Sequence, residues 1–210
     1  MCSYSGLFIA EGTSDMPLAD IVEALFIDRG FDVRLSKPDF SFLRKVPRDV
    51  TSRVTAGLEL MEETPDLVVV HRDSDNAGHG VRRTEIESAV QNIVEKTSLI
   101  PIIPVRMTEA WLLLDESAIR QVAGNPRGRQ ALGLPKAGEV EKIADPKTML
   151  AECLLKAGDL TGRRRDRADK RFPQHRRQLL ERLDPTGLVT TLPSWRRMID
   201  DIDRVCREWT

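Results

Sequence analysis

Four short apolar runs punctuate the first half of the chain, at residues 6–10, 31–35, 67–71 and 99–105, each bounded by polar or turn-forming residues. They are too short for helices and rich in Val, Ile, Leu and Phe, so they predict strands, those at 6–10 and 67–71 buried on both faces. Between them the apolar period lengthens to that of a helix. Residues 17–29 form one such stretch, with Pro17 in the first turn and Gly30 ending it. Residues 49–63 carry Val50, Val54, Leu58 and Met61 at helical spacing, and Pro65 breaks the pattern. In 84–96, Ile86, Ala89, Val90, Ile93 and Val94 share a face, and Thr84 with Glu87 has the spacing of a capping box. Segment 39–46 fits neither period. The alternation predicts an α/β fold: a mostly parallel four-stranded sheet flanked by helices, over about the first 107 residues.

The second half predicts helices. Residues 109–123 are apolar at Trp111, Leu112, Leu113, Leu114 and Ile119, and the Gly- and Pro-containing stretch 124–138 predicts a loop. Asp145 and Pro146 have the form of a cap and first turn for a helix to residue 157, with Gly158 just past its end. A further helix is expected at 174–183. Ser194 is placed to cap a last one through 209, where Trp195, Met198, Ile199, Ile202 and Val205 make a stripe. The expected division is an α/β domain at 1–115 and a helical extension at 116–210.

Composition changes this picture in three ways. At 210 residues and 40% hydrophobic the chain can bury one sizeable core. It has neither a membrane-spanning apolar run nor the pattern of a signal peptide, so a cytoplasmic protein without membrane contact is expected. Cys2, Cys153 and Cys206 are far apart and form no C-x-x-C pair, so neither a disulfide framework nor a zinc site is predicted. The net charge of −1 hides an asymmetry: residues 1–115 carry 12 Lys and Arg against 19 Asp and Glu, and residues 116–210 carry 20 against 14. The basic excess is densest at Arg163, Arg164, Arg165, Arg167, Lys170 and Arg171, with Arg176 and Arg177 following. Such a run is either a solvated helix, a disordered basic loop, or a cationic surface that holds a polyanion near an acidic centre.

Acid collects where ligands bind in open α/β sheets, outside the carboxyl ends of strands. Glu11 closes the run Leu7, Phe8, Ile9, Ala10, and Asp73 and Asp75 follow Leu67, Val68, Val69, Val70. Two like charges about 4 Å apart repel by roughly 4 kcal/mol at an effective dielectric near 20, so three converging carboxylates point to Mg²⁺ between them. Blander roles exist for each: Glu11 as a surface acid, Asp73 and Asp75 in an Asx-turn, and Gly12, Thr13, Ser14 and Asp15 as a turn that caps the next helix.

The pattern Glu11-Gly12-x-x-Asp15-x-x-Leu18 after the first strand, with Asp73-x-Asp75-x-x-Gly78 after the third, resembles the Toprim domain of bacterial primases, type IA topoisomerases and overcoming-lysogenization-defect nucleases. The segment Pro104-Val105-Arg106-Met107-Thr108-Glu109-Ala110-Trp111-Leu112-Leu113-Leu114-Asp115 is similar to the signature of small Toprim-like proteins of the DUF4276 family. The resemblance implies that Glu11 acts as general acid or base or as metal ligand, that Asp73 and Asp75 bind metal, and that Glu109 is a further acidic ligand. One or two Mg²⁺ (or Mn²⁺) ions would then activate water and stabilise the leaving oxygen of a phosphodiester. Asp15 and Lys147 are supporting candidates, Lys147 as a cation for the scissile phosphate or simply as a surface lysine. Glu109 also fits a first-turn acid on a helix, and Asp115 a cap. His71 is most simply a strand residue.

The implied function is a nuclease subunit, on DNA more than RNA, assembled with a separate ABC-type ATPase in phage defence. The chain departs from better-known relatives. Tyr4, its one tyrosine, lies on the approach to the first strand, which argues against strand passage. No G-x-x-x-x-G-K-[ST] loop is present, so ATP hydrolysis would come from another chain. Two competing expectations are a catalytically weak Toprim-like module that docks on an ATPase, and a metal-dependent enzyme acting on free nucleotides.

Overall fold

The computed structural model describes residues 3–40, 43, 45–94 and 96–210. Strands β1 (Ser3–Ile9), β2 (Asp32–Ser36), β3 (Leu67–His71) and β4 (Ser98–Ile102) form one sheet in the order β2-β1-β3-β4. Every pairing is parallel, and the register sets Gly6 beside both Leu35 and Leu67 and Ile9 beside Val70. The fold is α/β, as the alternation predicts.

Helices cover both faces, which is why β1 and β3 end in unbroken apolar runs. Side chains of a strand alternate between faces. Phe8, Val33, Leu35, Leu67, Val69, Ile100 and Ile102 therefore point to one layer, where α1 (Pro17–Ile27) packs with Leu18, Val22 and Phe26. Leu7, Ile9, Val68 and Val70 point to the other, against α2 (Val50–Glu59) and α3 (His79–Gln91).

The first layer does not stop at residue 115. After β4 come α4 (Glu109–Leu112), α5 (Glu116–Val122), α6 (Pro146–Gly158), α7 (Gly162–Lys170), α8 (Phe172–Leu180) and α9 (Pro193–Glu208). Trp111, Ile119, Leu150, Leu180, Trp195, Met198 and Val205 belong to the same buried cluster as Phe8 and Val69. Trp111 meets Trp195 edge-on at 5.1 Å and donates its indole N–H to Ser194 Oγ at 2.9 Å. On α9, Asp201 takes both ends of the Arg83 guanidinium at 2.8 and 2.9 Å, and Trp209 stacks on Tyr4 at 3.9 Å. These contacts clamp the last helix onto the sheet.

Several boundaries differ from the sequence expectation for local reasons. α3 begins at His79, and its cap is Gly78 at φ 85°, a left-handed conformation that glycine adopts without strain. Thr84 therefore lies inside the helix and caps nothing. The stretch expected as one helix over 109–123 is two, because Asp115 accepts a hydrogen bond from Ala118 N and starts α5. Asp145 caps α6 through Thr148 N, as expected. Ser194 does not cap α9: the helix begins at Pro193, and the serine hydroxyl is taken up by Trp111 and Glu141. A 3-10 turn at Ala137–Lys142 follows a stretch that predicts only loop. The basic run forms the helix α7, which has no buried residue.

Cys153 and Cys206 are free and buried, and Cys2 lies outside the described residues. Among the described residues no helix is long and apolar enough to cross a membrane.

Candidate metal centre

The exits of β1 and β3 are fixed by main-chain bonds before any carboxylate is placed. Arg53 of α2 donates to the carbonyl oxygens of Ala10 and Glu11, the latter at 2.9 Å, which sets where the chain leaves β1. A 3-10 turn at Thr13–Asp15 then carries Asp15 inward. Beyond β3 the backbone is laced to the segment after β4: Arg72 N to Ile102 O, Ser74 N to Pro104 O and Asp75 N to Arg106 O, at 3.0 to 3.1 Å. Ser74 Oγ accepts from Arg106 N at 2.9 Å. Asp75 and Arg106 adopt left-handed φ values of 45° and 63°, strain that this lacing holds in place.

The result is one open cleft of about 410 Å³ at the C-terminal end of the sheet. Glu11, Asp15, Asp73, Asp75, Glu109 and Lys147 line it, with Arg176, Met107 and Phe172. All six residues expected at the centre, supporting candidates included, thus lie around one space. The expected nucleic-acid residues lie elsewhere: Arg163, Arg164, Arg165, Arg167 and Lys170 are exposed on α7. Arg171 directly precedes α8, whose Phe172, Pro173 and Arg176 face the cleft.

The carboxylates are not equivalent. Burial, then the neighbouring Asp73, pushes Glu11 above its ordinary value, with His71 and Arg72 opposing; Arg72 Nη1 is 3.4 Å away. For Asp73 burial also favours the neutral acid, but His71 outweighs it and, with Arg176 and the Thr108 amide, holds the group below its ordinary value. Asp73 Oδ1 accepts from Thr108 N at 3.0 Å and Oγ1 at 3.2 Å, and His71 Nε2 is 3.4 Å away. Asp75 is more exposed, with Arg82 Nη2 at 3.5 Å.

Behind the cleft lies a charged layer that sequence reasoning did not place. His71 is fully buried, with Nδ1 3.8 Å from Asp15 and Nε2 2.9 Å from Thr108 Oγ1. Burial lowers its pKa, but Asp15 and Asp73 on either side outweigh that and raise it. Arg176 reaches in from α8: Nη2 is 2.6 Å from Asp15 Oδ1, Nε is 2.8 Å from Glu109 Oε1, and Nη1 donates to Ser14 Oγ at 2.8 Å. The second oxygen of Glu109, Oε2, is buried without a hydrogen-bond partner.

No protein-family model, curated protein or solved structure matches the chain. Among the described residues no group of three His, Cys, Asp or Glu side chains stands poised to hold a metal ion. The donors nevertheless suit a hard divalent cation, being carboxylate oxygens throughout. Two observations fit such an ion: burial, then the neighbouring charge of Asp73, raises Glu11, and Glu109 Oε2 is an orphaned acceptor.

A pattern in the sequence does betray Arg176. It shares a helical face with Phe172, Leu179 and Leu180, so it is an arginine on a side that is otherwise apolar. An arginine so placed must be paired when the face is buried.

Proposed function

We propose that this chain is a divalent-metal-dependent nuclease subunit that cuts DNA phosphodiesters in the cleft around Glu11, Asp73 and Asp75. The observation that carries the proposal is geometric: Glu11, Asp73 and Asp75 line one cleft beyond the carboxyl ends of β1 and β3, together with Glu109, whose Oε2 is buried and unpartnered. Asp73 is fixed there by Thr108 N and Oγ1 and by His71 Nε2 3.4 Å away, contacts that favour its charged form. Asp73, Asp75 and Glu11 would hold Mg²⁺ or Mn²⁺, with Glu109 Oε2 available to a second ion. Such an ion, when bound, supplies Lewis-acid charge to the phosphoryl oxygens and makes a nearby water more acidic.

The chain's own groups then divide the work. His71, held between Asp15 and Asp73, orients the metal-binding carboxylate from behind. Lys147 and the exposed cations of α7 offset the acid so that a polyanion can approach. No phosphate loop occurs in the sequence, so energy-dependent control belongs to a separate ABC-type ATPase chain, in the phage-defence pairing that the resemblance implies.

Incubation of the purified protein with plasmid, single-stranded DNA, RNA and nucleotides in Mg²⁺ or Mn²⁺ tests the proposal, with EDTA and Asp73→Asn as controls. Nicked or linear plasmid that vanishes in both controls is the expected result. Absence of turnover of every substrate, with and without the ATPase, overturns it. One observation favours a second reading, a catalytically weak module that docks on the ATPase. Arg176 already neutralises Asp15 and Glu109, leaving fewer acids free for metal. Stable complex formation without any turnover would support that reading.

A further inference from the structure

A second cleft, of about 570 Å³, opens on the other side of Glu11 and shares Glu11 and Gly12 with the acidic one. Its charge is opposite. Lys37 after β2, Arg48 just before α2, Arg53 on α2 and Arg177 on α8 all face it, against Glu11 and Asp39. Three separate stretches of chain thus bring four cations to one groove beside the candidate catalytic carboxyl.

Structural duty accounts for only part of this. Arg53 holds the carbonyl oxygens of Ala10 and Glu11, yet its Nε is buried without a hydrogen-bond partner. Burial, then Arg48, holds the Arg53 guanidinium below its ordinary value, with Glu11 and Asp49 opposing. Lys37 pairs with Asp20, and Arg177 with Glu181 at 3.0 Å. Exposed pairs of this kind are worth less than about 1 kcal/mol and exchange readily for a phosphate. The floor also carries an aromatic ring: the Arg53 guanidinium carbon lies 6.0 Å over Phe40, which lines the same cleft. Guanidinium and aromatic planes together make a stacking surface for unpaired bases, which a duplex keeps to itself.

We infer that this cleft seats a single-stranded nucleic-acid segment flanking the scissile phosphate, with backbone phosphates on Arg48 and Arg177 and a base over the Phe40 and Arg53 surface. The inference rests on the nuclease reading for the position of the scissile phosphate. It moves the main strand path from α7 to the groove between α2 and α8.

Binding measured in EDTA tests it independently of catalysis. Fluorescence anisotropy with a fluorescein-labelled oligothymidylate is compared for the wild-type chain, Arg48→Glu/Arg177→Glu and Arg163→Glu/Arg164→Glu. Both residues of the first variant are exposed, and a thermal melt checks that it folds. The expected result is at least about a tenfold loss of affinity for Arg48→Glu/Arg177→Glu, with the salt slope reduced by about 1.4, two single-strand contacts' worth. The labelled duplex of the same length binds more weakly than the single strand. Wild-type affinity in Arg48→Glu/Arg177→Glu, loss confined to Arg163→Glu/Arg164→Glu, or preference for the duplex overturns the inference. A chain that binds through this groove but never cleaves sinks the nuclease reading alone. Cleavage with unchanged binding in Arg48→Glu/Arg177→Glu sinks only the groove.

Discussion

Arg176→Met removes the guanidinium that bridges Asp15 and Glu109 and leaves two buried carboxylates without it. Their side chains are 6% and 5% exposed, so water does not replace the lost partner. Asp15 keeps His71 Nδ1 at 3.8 Å, whereas Glu109 has one oxygen already unpartnered and loses the partner of the other. Breaking a buried ion pair from one side costs about 3 to 5 kcal/mol, because the uncompensated charge dominates. In a chain of this size 1 kcal/mol corresponds to about 2 to 4 °C, so a fall in Tm of roughly 6 to 20 °C is expected. Urea unfolding in EDTA, followed by fluorescence of the buried Trp111 and Trp195, gives the free energy. The triple variant Asp15→Asn/Glu109→Gln/Arg176→Met recovers most of the loss, since removing all the charges together is far cheaper than orphaning two. Millimolar Mn²⁺ stabilises Arg176→Met more than the wild type, because the acids freed by the substitution accept a cation. A loss below about 1 kcal/mol, or a triple variant no better than the single one, refutes the reasoning.

Three further outcomes follow from the same charges. Glu11 is raised in the folded chain, so the metal-free native state loses stability as pH climbs from the ordinary 4.5 through the raised value. Glu11→Gln therefore raises the unfolding free energy at neutral pH in EDTA, by no more than about 1 kcal/mol because the group is partly solvent-screened; a lower urea midpoint contradicts this. His71 is raised from 6.5, so its contribution is complete below 6.5 and fades as pH rises through the folded value. NMR titration of the imidazole protons is expected to place His71 above 6.5 and His79 and His175 below it, where burial pushes both; His71 titrating with the other two would contradict the assignment. Asp201→Ala removes the tie between Arg83 and α9, leaving Arg83 only Glu87, and costs about 1 to 2 kcal/mol in urea unfolding, whereas a near-neutral effect would show that α9 docks without this pair.

The sheet was the most legible part of the sequence. Burial of β1 and β3 on both faces writes a run such as Leu67 to Val70 directly into the chain, and its end marks where Asp73 must emerge. Helix starts were less legible where backbone, not side chains, makes the cap. Gly78 begins α3 through its φ of 85°, while the persuasive Thr84 and Glu87 spacing occurs inside the helix, where Glu87 pairs with Arg83. Glu11, Asp73 and Asp75 are legible because each follows a strand, whereas Glu109 and Asp15 depend on the resemblance. Their cationic counterparts are less legible: the apolar helix face around Arg176 marks it as buried, but its pairing with Asp15 spans 161 positions, so the partner leaves no local spacing to read. His71 looked like an ordinary strand residue and occupies one; only its neighbours in space give it charge. The groove of Lys37, Arg48, Arg53 and Arg177 was hidden for the same reason, and the denser basic run on α7 drew attention away from it.

Folding gathers Glu11, Asp73 and Asp75 into one cleft, and the proposed function requires that cleft to take up a divalent cation. Calorimetric titration of Mn²⁺ into the full chain, with Asp73→Asn beside the wild type, measures this uptake. Saturable binding to the wild type is expected, and at least about tenfold weaker binding to Asp73→Asn, equivalent to about 1.4 kcal/mol. No saturable heat in the wild type, or identical isotherms for the two proteins, would contradict it.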